Sequence, residues 1–304
     1  MNKTIATLCA TAIMSSSLML SVPSLHAASP INEAILNSLP SYNGTDLELQ
    51  VNDKGTFFTL WSPQAEAVKV NIYDTNNAPT PSAILEMKRG ENGTWKVSVP
   101  QQLYGKFYTF QVKFHSQWLK ETPGVWAKAV GVNGHRAAII DMRATDPAGW
   151  NQDKGPALKN ITDAVIYEMH HRDFSVHPSS GIANKGKFLA LTEDQTRSLA
   201  GDPTGIEHLK ELGVTHVHIL PSYDYNSVDE SNLPSNSYNW GYDPYNYNAP
   251  EGSYSTNPSD PATRIKEMKQ MVQALHNAGI GVVMDVVYNH TASIDDSNFS
   301  LTAP

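Results

Sequence analysis

The sequence predicts a multidomain protein, an all-β sandwich followed by an α/β domain on a parallel sheet. Two observations carry this. Between residues 46 and 140, short alternating apolar–polar runs recur at about ten-residue spacing, the pattern of a sandwich of roughly 100 residues. From residue 164 onward, apolar runs alternate with helical patterns, as strand–helix–strand units do. A length of 304 residues suits about two domains at roughly 100–200 residues each.

The first 27 residues read as a secretory signal peptide. Lys3 supplies the positive start, an apolar stretch runs from about Ile5 to Val22, and small residues flank a cleavage site after Ala27. The stretch is too short and too broken by serines to span a bilayer comfortably. Leu8 precedes Cys9, where a lipoprotein anchor requires a small residue. Cys9 is the single cysteine, so the mature chain holds no disulfide and relies on packing. The expected location is therefore secreted or periplasmic, with no membrane association after cleavage. Residues 28–45 form an N-terminal segment before the sandwich.

Within the sandwich, 56–62 (TFFTLWS), 67–74 (AVKVNIYD), 93–99 (GTWKVSV) and 106–115 (KFYTFQVKFH) have strand periodicity. Trp61 and Trp95 lie inside these runs and are read as core residues. Residues 141–163 lack any period and contain two prolines and two glycines, the composition of a linker. A second domain occupies 164–304. AVIYEM (164–169), VTHVHILP (214–221) and GVVMDVVY (281–288) read as strands buried on both faces. TGIEHLKELG (204–213) reads as a helix with Ile206, Leu209 and Leu212 on one face and Gly213 as its stop. In 260–279, Asp260 caps a helix, Pro261 takes its first position and Gly279 closes it, with Ile265, Met268, Val272 and Leu275 buried. By periodicity alone the second domain is either a (β/α) barrel or a doubly wound sheet.

A net charge of -8 without a basic stripe excludes nucleic acid as a partner. The chemistry concentrates where strands end. The first strand runs into EMHHRDFS (168–175). The second leads to YNWGYDPYNYNAPEGSYS (238–255), an irregular loop with six tyrosines and a tryptophan. The third ends in DVVYNH (285–290). Tyr242, Asp243, Asp285, Asn289 and His290 are expected at one mouth. Rings that stack on a sugar's apolar face, beside carboxylates and an imidazole that bond its hydroxyls, suit a carbohydrate site. His216 and His218 share one strand face, as metal-ligating histidines do, but stand mid-strand without a matching ligand set. They are read as buried, paired histidines. The histidines of HHRDFSVH (170–177) are read as satisfying loop carbonyls.

YNWGYDPYNYNAPEGSYSTNP, VIYEMHHRDFS, TGIEHLKELGVTHVHILP and RIKEMKQMVQALHNAGIGVVMDVVYNH closely resemble bacterial type I pullulanases, debranching members of the α-amylase family of glycoside hydrolases. The resemblance covers about 46 to 291. YNWGYDP is its specific motif; DVVYNH alone marks only the wider family. The resemblance implies an immunoglobulin-like, glycogen-binding-like sandwich followed by the first three βα units of a (β/α)8 TIM barrel. It implies that Tyr242 stacks on the sugar before the scissile bond and that His290 hydrogen-bonds the same sugar. Asp285 would orient an arginine beside the nucleophile, and Trp240 and Asp243 would shape the cleft. Asn289 matches a calcium-binding asparagine of many amylases but supports no metal assignment here; no organic cofactor is implied, and calcium is left open.

In this family the nucleophile and the acid/base come from strands four and five, whereas the sequence ends at Pro304, after strand three. No catalytic residue is therefore assigned within the chain. The implied activity of the complete protein is retaining hydrolysis of α-1,6 branch linkages in pullulan, starch or glycogen. The alternative is a truncated, inactive α-glucan-binding protein.

Overall fold

Strands β1 (Glu48–Asn52), β2 (Gly55–Trp61), β3 (Ala67–Tyr73), β4 (Ala83–Glu86), β5 (Lys88–Arg89), β6 (Thr94–Val99), β7 (Phe107–Phe114), β8 (Gln117–Trp118) and β9 (Ala137–Ala138) build the sandwich. One sheet has the order β1-β2-β6-β5 and the other β4-β3-β7-β8, with β9 beside β7; every pairing is antiparallel. The alternation read from the sequence places Phe58 and Leu60 of β2 against Val68, Val70, Phe110 and Val112 of the facing sheet, all in one buried cluster. Phe58, Tyr108 and Phe110 meet edge-on, with ring centroids 5.1–6.2 Å apart. Trp95 is buried and donates from Nε1 to the Ser62 carbonyl at 2.9 Å. Trp61, expected in the core, is only half-buried and bonds the Pro40 carbonyl at 3.1 Å, because it ends β2 at the sheet's rim.

The computed structural model describes residues 37–233 and 238–304; the predicted signal peptide and residues 28–36 lie outside these. Residues 40–304 form one compact unit.

Residues 141–163, expected to be an aperiodic linker, contain three short 3-10 turns. Lys269 bonds Thr145 and Asp146 there, at 2.7 and 2.5 Å, and His276 bonds Asp153 at 2.7 Å.

Beyond them, β10 (Ile166–Met169), β11 (His216–Ile219) and β14 (Gly281–Met284) form a parallel sheet in the order β10-β11-β14. Helices α1 (Gly205–Leu212) and α2 (Pro261–Asn277) follow the predicted spans closely. The Asp260 side chain accepts from the Ala262 amide, Pro261 opens α2, and Gly213 closes α1 in the left-handed conformation. Leu209, Met271 and Leu275 of these helices pack with Val217 and Ile219 of β11.

Three expectations are corrected here. The sheet is not buried on both faces: Ile166 and Val283, on the face shared with Glu168 and His218, are exposed because the helices pack on the opposite face, and Met284 and Val286 are exposed at the end of the edge strand β14 and just beyond it. Leu212 is also exposed, since it lies in the last turn of α1, past the sheet. The aromatic stretch is not wholly irregular. Its residues Pro244–Pro250 form strand β13, antiparallel to β12 (Tyr223–Tyr225), with register shifts that bracket the proline-rich sequence.

The fold's buried polar centre is Arg264 on α2. Its guanidinium meets Asp224 at 3.1 Å and Glu230 at 2.7 Å, and Asn246 bonds Asp224 at 2.7 Å. Glu230 also accepts from the Asn133 amide at 2.9 Å, and Asn246 donates to the Gly134 carbonyl at 3.0 Å. Those two contacts tie the loop before β9 of the sandwich to the barrel portion. Burial, and then the neighbouring Glu230 carboxylate, push Asp224 up to about 7 against the lowering effect of Arg264.

Candidate functional site

Parallel strands expose their C-terminal ends, and the loops that leave those ends supply the site. Register places Glu168 of β10 beside His218 of β11, and His218 beside Val283 of β14, two residues before Asp285. All of these point to the face that the helices leave uncovered. His218 Nδ1 lies 3.4 Å from Glu168 and its Nε2 3.8 Å from Asp285 Oδ2. The Tyr242 hydroxyl donates to that same Asp285 oxygen at 2.5 Å. Partial burial, the bond to Asp285, and the charges of Asp285 and Glu168 push the Tyr242 phenol up to about 12. It therefore stays a neutral donor near pH 7 and fixes one oxygen of the carboxylate.

His290 closes the group: its Nε2 stands 2.6 Å from the Tyr242 carbonyl, and Tyr247 Oη donates to the His290 carbonyl at 2.6 Å. Tyr288 stacks on Tyr247 at 6.1 Å. So the loop after β14 and the loop leading into β13 are clamped together through backbone and side chain at residues 242, 247, 285 and 290.

The aromatic loop is shaped by Asp243, not by its rings alone. Asp243 accepts from Ser227 and, at 2.8 Å, from Asn239, whose own Oδ1 accepts from the Gly241 amide at 2.7 Å. Gly241 has φ of 88° and a Cβ there would stand 2.5 Å from the Pro221 carbonyl oxygen, so glycine is required. His170 Nε2 meets the Asn239 carbonyl at 2.8 Å, as expected of a histidine that satisfies a loop carbonyl. His171 does not follow that expectation. It is enclosed by the rings of Phe188 and Tyr254, at 5.0 and 4.8 Å, and burial pushes its pKa down to about 4.

Of the five predicted site residues, Tyr242, Asp285 and His290 are brought together, Asp243 holds the loop, and Trp240 stands 59% exposed at its tip. Asn289 is exposed beside His290. His216 and His218 are half-buried, not buried: His216 bonds Thr215 at 2.9 Å, while His218 bridges two carboxylates. Sequence reasoning missed the place of Glu168 and His218 in the site. The signal was the shared face of residues 216 and 218, which points into the same cleft. It also missed Arg264, which falls on one helical stripe with Met268, Met271 and Leu275. Among the described residues, the carboxylates that converge closely enough for a metal are Asp224, Glu230 and Glu251, and there the Arg264 guanidinium supplies the positive charge.

An exposed ring beside a fixed carboxylate, at the open ends of parallel strands, fits a sugar ring with its hydroxyls. Residues 46–141 match the carbohydrate-binding module 48 family (isoamylase N-terminal domain), and 185–300 match the α-amylase catalytic domain. The pullulanase of Bacillus subtilis is 43% identical over 249 residues, covering 82% of this chain and 33% of that protein. The chloroplastic pullulanase 1 of Arabidopsis thaliana is 33% identical, over 84% of this chain and 30% of its own length. The crystal structure of a Paenibacillus barengoltzii pullulanase in complex with maltohexaose and α-cyclodextrin superposes with a TM-score of 0.85. It is 51% identical and covers 88% of this chain and 42% of that one. This chain thus spans about a third of the length of the curated relatives it matches.

Proposed function

As a chain that belongs to the pullulanases through its sandwich module and the start of an α-amylase-type catalytic domain, we propose that it forms the glucan-binding front of a secreted debranching glycoside hydrolase. The observation that carries this is the Tyr242–Asp285 bond of 2.5 Å beneath an exposed phenol ring, with His290 held on the Tyr242 carbonyl. The ring offers a flat face to the apolar side of a glucosyl unit, and His290 is placed to bond its hydroxyls. Asp285, already anchored by Tyr242, has a second oxygen free of that bond with which to orient a cationic partner. Trp240 extends the apolar surface at the loop tip.

In the complete protein the reaction is hydrolysis of α-1,6 branch linkages in pullulan, starch or glycogen by a retaining mechanism. Retention requires a nucleophilic carboxylate and an acid/base carboxylate about 5–5.5 Å apart. None of Glu168, Asp243 and Asp285 is assigned either role; each is bonded as a positioning group. Calorimetric titration with maltohexaose tests the binding reading. Tyr242→Ala is expected to weaken binding at the cleft about tenfold or more, with little change in Tm, because a lost sugar–ring stack is worth on the order of 1–2 kcal/mol. Unchanged affinity at every site would remove Tyr242 as the platform.

A further inference from the structure

A small cavity of about 120 Å³ lies beside the base of the aromatic loop, where the segment leaving β10, the turn 184–187 and the residues after β13 meet. Three cationic side chains line it, Arg172, Lys185 and Lys187, with Asn239, Ser253 and Tyr254 among its other polar residues. Among the described residues that line it there is no carboxylate. Local geometry explains why the cations converge. Gly186, between the two lysines, has φ of 70° and gives its amide to Ser175 Oγ at 2.7 Å. A Cβ there would stand 3.3 Å from Arg172 Cγ, so the arginine stem packs on the residue that separates Lys185 from Lys187.

Only part of this positive charge is answered. Arg172 donates to the Asp173 carboxylate at 2.9 Å. Lys185 donates to the Ile182 carbonyl and Lys187 to the Ser253 carbonyl at 2.8 Å, so both ammonium groups bond neutral oxygens. An ammonium carries three donors and a guanidinium five, so most donors on these three groups have no partner among the described residues. The nearby acids are bonded elsewhere. Glu193, whose carboxyl feels the charge of Lys185, accepts from the Ala183 and Asn184 amides at 2.8 and 2.7 Å. Glu230 pairs with Arg264, and Glu267 accepts from the Thr256 amide at 2.8 Å. Burial holds the Lys187 ammonium below the ordinary lysine range, against the opposing charges of Glu267, Glu251 and Glu230. A cation cut off from water and bonded to no carboxylate favours an anion from outside.

Size and shape select among anions. Small-molecule sites begin at roughly 300 Å³, so an oligosaccharide or a nucleotide is too large for this cavity. A tetrahedral oxyanion presents several acceptors at once to a guanidinium fork and two ammonium groups, which a single halide does not. We infer that this cavity binds a small oxyanion of the phosphate or sulfate class. The inference does not rest on the function proposed above. His170, on the same wall, meets the Asn239 carbonyl at 2.8 Å, and the Asn239 side chain bonds the Gly241 amide at 2.7 Å and Asp243 at 2.8 Å. A bound anion would thus tighten the base of the loop that carries Tyr242.

Calorimetric titration of the full chain with sodium phosphate, at ionic strength held constant with sodium chloride, is the test. Wild type is expected to bind one phosphate per chain and to gain Tm as the site fills. Arg172→Gln and Lys185→Gln should each weaken binding about tenfold or more and reduce the gain in Tm. Lys185→Arg keeps the charge and should retain binding, which separates loss of charge from loss of folding. Lys210→Gln, on the exposed side of α1 beside Glu207, should leave binding unchanged. Competition by glucose 6-phosphate would assign the oxyanion to a phosphorylated sugar, and its absence would assign the free ion; either result keeps the site. The inference is overturned if neither phosphate nor sulfate binds at millimolar concentration, or if chloride alone raises Tm equally. Equal weakening by Lys210→Gln, or loss of binding in both Lys185→Gln and Lys185→Arg, would likewise reject it.

Discussion

The sandwich and the three-stranded parallel sheet use the same kind of sequence, short apolar runs of β-branched and aromatic residues, yet bury them differently. In the sandwich each sheet covers the inner face of the other, so Phe58, Val68, Val70, Phe110 and Val112 are wholly enclosed. In the parallel sheet the helices cover one face, and the other keeps Ile166 and Val283 partly in water beside Glu168, His218 and Asp285. The sandwich face is a store of stability; the open sheet face carries the ionisable cluster of the proposed site. An apolar run therefore specifies a strand without specifying how many of its faces are dry.

Arg264→Leu should have the largest effect. It leaves Asp224 and Glu230 buried without their cation, with Glu251 already pushed well up by burial and by their charges, and should cost about 3–5 kcal/mol. Denaturant titration measures this. An effect below about 1 kcal/mol would mean that the carboxylates take up protons at little cost and that the cluster is not the joint between the two regions.

The comparison itself is sharpened by a pair of truncations. Phe110→Ala in the sandwich should destabilise by about 3–5 kcal/mol, while Val283→Ala on the open face should cost below about 1 kcal/mol. Equal losses would show that the sheet's exposed face is covered in solution.

A smaller, pH-dependent effect belongs to Glu48. It is 3% exposed, and burial pushes it up to about 8 against two backbone amide bonds, Val125 among the donors. Its unfolded value is about 4.3. Below that value both states hold the proton. Between the two values the folded chain keeps a proton that the unfolded chain releases, so stability falls as pH rises through this window. Glu48→Gln, neutral throughout, should flatten the fall of Tm between about pH 5 and 8, recovering on the order of 1–4 kcal/mol at the upper end. An unaltered slope would place the pH dependence at Asp224 instead.

Much of this was legible beforehand, for identifiable reasons. The strands 56–62, 67–74, 93–99 and 106–115 and both long helices were found because periodicity and capping are local: Asp260, Pro261 and Gly213 act on their own neighbours. Tyr242, Asp285 and His290, which the fold brings together, stand out in the sequence through the motifs WGYDP and DVVYNH. The strand Pro244–Pro250 was hidden by its prolines, which local rules read as breaks although β12 pairs with it. His218 was seen only as half of a histidine pair, because its partners Glu168 and Asp285 are brought beside it by parallel register and lie 50 and 67 residues away in sequence.

Sequence by itself determined where strands, helices and turns lie, the acidic and cysteine-poor character, and the identity of the aromatic loop. Each follows from neighbouring residues or from a short motif. Tertiary structure decided which strand faces are dry, that Arg264 is enclosed by carboxylates from distant segments, and that Tyr242, Asp285, His218 and Glu168 form one ladder. It also decided that Arg172, Lys185 and Lys187 line one cavity. These depend on register and on the packing of one layer against another, contacts between residues far apart in the chain that no local pattern encodes.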